Sequence, residues 1–111
     1  MEKDVKVLSV YDAEFLKKIM RLFGINRIAI GWSDSTKRYP DIWCYPYETP
    51  PRIVLTQEWR RQSTMERQKR LVHEFLHIRG MEHGRKGIYD YNTIPEKDSY
   101  SMMVYRQLCG Q

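Results

Sequence analysis

The chain has 111 residues, enough for one hydrophobic core and too few for two. Hydrophobic residues make up 41% and charged residues 30% of it, which excludes a disordered protein, and no apolar run approaches the ~20 residues that span a bilayer. The formal charge of +5 leaves room for an acidic or nucleic-acid partner without favouring one. Basic residues are dispersed except for Arg60, Arg61, Arg67, Lys69 and Arg70, and a solvated helix face accounts for that cluster more simply.

The opening MEKDVKVLSV lacks the apolar stretch of a secretory signal, so a cytoplasmic location is expected. Asp4 to Leu8 alternates enough to read as a short strand. Ser9 with Asp12 three residues later forms a capping box for a helix running to Phe23, with Gly24 as its stop. Phe15, Ile19, Met20, Leu22 and Phe23 supply that helix's apolar stripe. Arg27 to Trp32 (RIAIGW) reads as a strand, and the polar SDSTKRYP after it as a turn region. Two further extended segments run from Ile42 to Tyr47 and from Arg52 to Thr56, with Pro46, Pro50 and Pro51 around them. Proline donates no ladder hydrogen bond, so this part of the sheet is expected at an edge or in a loop. Ser63 and Glu66 form a second capping box, opening a helix to Arg79 that Gly80 ends. The remainder, with its glycines, Asn92 and Pro95, reads as irregular, with at most a short helical end. The order β-α-β-β-β-α-loop makes an α+β domain, a small mixed sheet backed by two helices. Cys44 and Cys109 form no CxxC pair and read as ordinary thiols, their pairing being a geometric question.

The chemistry concentrates in HEFLHIRGMEH, residues 73 to 83. His73 and His77 stand at i and i+4 on the second long helix, so their imidazoles project from one face, one turn apart. Glu74 is offset around the helix, where its carboxylate reaches a water bound to a metal rather than the metal. Gly80 allows a sharp exit from the helix, which brings His83 back as a third imidazole. Three protein ligands and a water make an open, catalytic zinc site, whereas structural sites close the fourth position with a side chain. All three histidines of the protein fall in these eleven residues. One Zn2+ per chain is therefore expected, with Glu74 as general base for a hydrolytic reaction.

The run matches HExxHxxGxxH at each defined position and so resembles the metzincin metallopeptidases. Ser101, Met102, Met103, Val104 and Tyr105 are similar to the SxMxY of their methionine turn. The resemblance implies a single minimal metallopeptidase domain, a metzincin-like zincin with the metal at the end of the second helix. Residues 1–80 would supply the sheet and active-site helix, and 81–111 an irregular segment holding the turn. It implies Met103, beside Ser101, in a turn under the metal, Tyr105 as a catalytic stabiliser of the oxyanion, and peptide-bond hydrolysis as the activity. Gly84 after the third histidine differs from the residues that mark the best-known subfamilies, so none is assigned. An extended peptide or protein substrate would pair with an edge strand, for which Arg52, Ile53, Val54, Leu55 and Thr56 are the candidates.

Two other classes stay open. A family of bacterial ribosomal-RNA maturation endonucleases has a similar HxxxHxxGxxH site, but usually carries glycine where Glu74 stands. SprT-like metal hydrolases also pair HExxH with a later histidine, which admits a nucleic-acid-associated peptidase. A non-catalytic, zinc-stabilised binding module is the further alternative. No membrane partner is expected, and the sequence is silent on oligomeric state.

Overall fold

A computed structural model describes residues 7–81 and 100–110 of the protein. The fold is α+β, in the order α1 (Val10–Phe23), β1 (Ala29–Trp32), β2 (Ile42–Tyr45), β3 (Arg52–Leu55), α2 (Gln57–Arg60), α3 (Thr64–Ile78) and α4 (Tyr100–Cys109).

Both long helices start and stop where side-chain chemistry directs. The Ser9 hydroxyl accepts from the Asp12 backbone N–H, and the Ser63 hydroxyl from that of Glu66, so each satisfies a donor that the first turn leaves without an intrahelical partner. Gly24 closes α1 at φ 66° and Gly80 follows α3 at φ 98°, both in the left-handed region that glycine enters without a Cβ penalty. The buried face of α1 carries Phe15, Leu16 and Ile19, with Phe23 packed against the core. Leu22, expected in the stripe, is 43% exposed. At ~100° per residue it falls at the margin of a face centred on Ile19 and Phe23, and Leu16 takes its place.

The three strands form one mixed sheet in the order β1-β3-β2, β1 parallel and β2 antiparallel to β3. This corrects the expected substrate edge. The segment Arg52 to Thr56 provides the central strand, paired on both sides, with Ile53, Val54, Leu55 and Thr56 buried. The prolines lie before this strand, so no ladder donor is lost within it. Of the expected Asp4–Leu8 strand, Asp4 to Lys6 lie outside the described residues, while Val7 is in a bend and Leu8 in irregular backbone.

Ile42, Ile53 and Leu55 face the helices, joining Phe15, Leu16, Ile19, Trp59, Leu71, Val72, Phe75, Leu76 and Leu108 in one core. Helix α3 is its centre, packing on α1, α4 and β2. Leu71, Val72 and Phe75 are fully buried, each contributing ~1.5 to 3 kcal/mol through apolar burial. Trp59 of α2 anchors the opposite end, its indole N–H donating to the Arg67 carbonyl at 3.1 Å.

The basic cluster is only partly the solvated face expected. Arg61 pairs with Glu58 at the surface, but Lys69 is 4% exposed beside Glu66, and Arg67 reaches Asp12 at 2.8 Å. Asp12 is 2% exposed and also accepts from Gln68 at 3.2 Å. A carboxylate so deeply placed needs a cation, and Arg67 supplies it, joining α1 to α3.

Candidate metal centre

The last two turns of α3 carry His73 and His77, and their rings meet as the i, i+4 spacing requires. The centroids are 4.8 Å apart at 78° between planes, and the two Nε2 atoms are separated by 3.2 Å.

What holds the rings begins with the helix stop. The Gly80 N–H donates to the His77 carbonyl at 2.9 Å and the Met81 N–H to that of Leu76 at 3.0 Å. This is a Schellman closure, with glycine at its left-handed position. It turns the Met81 carbonyl back to 3.0 Å from His77 Nδ1. A carbonyl can only accept, so Nδ1 carries the hydrogen and His77 Nε2 presents a lone pair. The Ser101 hydroxyl, 3% exposed on α4, lies 3.5 Å from His73 Nδ1.

A hydroxyl can donate or accept, and this decides what the pair can do. With Ser101 donating to His73 Nδ1, His73 Nε2–H can donate to His77 Nε2, and the pair is satisfied alone. With Ser101 accepting instead, both Nε2 atoms present lone pairs to one point. That second arrangement is the donor set of a divalent metal, with the Met81 carbonyl and Ser101 fixing the tautomers from behind. The residues present therefore fit a zinc ion as two of its ligands. His83, the third expected ligand, lies outside the described residues. Among the described residues no three His, Cys, Asp or Glu side chains gather to hold a metal.

Glu74 turns from the histidines toward β2. It is 6% exposed, and burial, reinforced by the negative charge of Asp41, pushes its carboxyl up to about 8, against the lowering contributions of the Cys44 thiol and Arg70. Arg70 in turn pairs with Asp41 at 2.8 Å. Cys44 places its thiol 3.8 Å from the Glu74 carbonyl. Its ionisation is driven far up by burial and by the neighbouring carboxylate, so it stays a neutral thiol. Cys44 and Cys109 are both free.

The methionine turn is not formed. Residues Tyr100–Cys109 are helical, Met102 is the buried methionine at 6% and Met103 is 57% exposed. Met102 and Leu108 bury one face of α4, which leaves Met103 toward solvent. Tyr105 packs its ring on Phe15 at 5.6 Å, and its hydroxyl pairs with the Cys109 thiol. Burial pushes that phenol up to about 12. There it packs α4 on α1. Ser101, expected as part of the turn, is instead the residue that α4 brings to His73. The Met81 carbonyl is not foreshadowed by any motif, although the Gly80 stop that positions it is.

No family model, curated protein or solved structure matches the chain. Among the described residues no helix is long and apolar enough to cross a membrane.

Proposed function

We propose that the protein is a zinc-dependent hydrolase of peptide bonds, with His73, His77 and His83 as metal ligands and Glu74 as general base. One observation carries the reading. The two Nε2 atoms converge to 3.2 Å while the opposite ring nitrogens meet the Met81 carbonyl and the Ser101 hydroxyl. With the Ser101 hydroxyl accepting, these contacts are the backing that orients a pair of metal-ligating imidazoles.

Zinc, when bound, acidifies a water toward a pKa of ~7 and polarises a carbonyl. The rest falls to the protein. Glu74, which packs against Cys44 on β2, would turn its carboxylate toward the histidines to accept the proton of the attacking water as the water's oxygen bonds to the scissile carbon. It returns that proton to the nitrogen as the C–N bond breaks. Without metal, burial holds this carboxyl up at about 8; a bound Zn2+ would draw it down toward the ionised form a base needs. The strand beside it supports an extended substrate: β2 is an edge strand packed on α3, and Cys44 lies within it. We assign peptide pairing to the edge of β2 that no strand pairs among the described residues, in place of Arg52–Thr56.

With Met103 exposed on a helix, the reading rests on the three histidines and Glu74, and the SprT-like resemblance stands ahead of the metzincin one. Metal analysis of purified protein together with digestion of a broad peptide library tests the proposal. About one zinc per protein molecule and cleavage abolished by a chelator are expected. No zinc binding on titration would overturn it.

A further inference from the structure

The sheet has a second face. Along β2, Ile42 and Cys44 point to the helices, so Trp43 and Tyr45 point to the opposite side. Across the ladder, Val54 and Arg52 stand opposite them, followed by Gly31 and Ala29 of β1. Among the described residues no helix covers this side.

Its side chains form a continuous ladder of rings and cations. The Arg38 guanidinium lies 5.2 Å from the centroid of Tyr39, and the Tyr39 ring is 5.2 Å from that of Trp43. The Trp43 indole N–H donates to the Tyr45 hydroxyl at 3.3 Å, and the Arg52 guanidinium sits 4.2 Å over the Tyr45 ring. Arg52 is steadied by Glu48 at 2.9 Å and lies across Gly31, where the missing side chain keeps the floor flat. Tyr39 is 38% and Tyr45 40% exposed. Three aromatic rings and two guanidinium groups, exposed or half-exposed, are thus held in one row.

We propose that this face is a binding platform for single-stranded nucleic acid. Side chains two apart on a strand lie ~7 Å apart, a step over which successive unstacked bases can settle on Trp43 and Tyr45. Tyr39 extends the row toward Arg38. The ligand must offer flat π-faces and negative charge together, since the rings alternate with guanidinium groups and the protein as a whole carries +5. A duplex hides its base faces, and an apolar protein surface leaves the Arg38 guanidinium without an anion, Arg52 being paired with Glu48. The basic residues of α3 do not compete for this role, because Arg67, Lys69 and Arg70 are committed to Asp12, Glu66 and Asp41.

The test is fluorescence anisotropy of the full-length protein with labelled oligo(dT) and oligo(U) of about 15 nucleotides, at ~50 and ~200 mM salt. Single strands should bind, more weakly at the higher salt, and a duplex of equal length should bind at least ~10-fold more weakly. Trp43→Leu, Tyr39→Leu and Tyr45→Leu keep apolar volume and remove the π-face, and each should weaken binding by ~5-fold or more. Arg38→Gln should lower the salt slope by about 1. Leucine substitution at the half-exposed Tyr39 and Tyr45 keeps the test decisive if Trp43→Leu fails to fold. Unchanged affinity in the folded variants would overturn the proposal, as would equal binding of duplex, or capture of a proline-rich peptide with no oligonucleotide binding. The readout involves neither zinc nor peptide cleavage, so its failure and that of the hydrolase reading are separate results.

Discussion

Replacing Glu74 by Gln separates the chemistry of the site from its cost to the fold. The amide keeps the shape and one acceptor oxygen, while removing the charge and the capacity to take a proton. Turnover should fall ~10²-fold or more with zinc content unchanged. The metal-free protein should respond in the opposite sense. Burial raises the Glu74 carboxyl from its ordinary 4.5 to about 8 in the folded state, so below pH 4.5 both folded and unfolded states are protonated there and nothing is lost. As pH rises from 4.5 toward 8 the unfolded state releases a proton that the native state retains, and stability declines by ~1.4 kcal/mol for each pH unit. The accumulated loss approaches roughly 3 to 5 kcal/mol at pH 8. Gln has no such titration. Denaturant unfolding of chelator-treated protein, followed by circular dichroism at several pH values, should therefore show Glu74→Gln increasingly more stable than the parent across this window. A stability difference independent of pH would refute the buried, neutral state of Glu74, and undiminished turnover would refute its role as base.

Met102→Ala should cost ~2 to 5 kcal/mol because it empties a buried site on α4, whereas Met103→Ala should stay within ~0.5 kcal/mol; equal losses in thermal or denaturant unfolding would contradict the helical placement. Tyr105→Phe should leave peptide cleavage within about twofold of the parent, and a loss of ~10-fold or more would restore the oxyanion role. Asp12→Ala strands Arg67 among buried groups and should destabilise by ~3 to 5 kcal/mol, with Arg67→Met in the same background recovering much of that loss. Zinc added at 100 times its dissociation constant should raise unfolding free energy by ~2.7 kcal/mol in the parent, and by far less in His77→Ala.

How far the sequence speaks depends on the range over which each signal acts. Ser9 with Asp12, Ser63 with Glu66, and the two stop glycines act within one turn, and the helices begin and end accordingly. The same locality makes His73, Glu74 and His77 legible, because a spacing of four on a helix is itself a geometry. Strand order is not local. The prolines before Arg52 suggest an edge, yet the unbroken apolar run Ile53-Val54-Leu55 carries the better signal, that of a buried strand paired on both sides. In the last segment a short motif competes with periodicity. Met102, Tyr105 and Leu108 recur at the three-residue spacing of a helix face, and the helix they form carries Ser101 to His73, a contact that a turn under the metal does not provide. The metal reading thus changes in its support. It no longer draws on a methionine beneath the site, but on a carbonyl released by the Gly80 stop and a hydroxyl from α4, each behind one imidazole. The hydroxyl depends on α4 packing on α3, so mutations on the buried face of α4 should reach the proposed metal site through His73 without touching a proposed ligand.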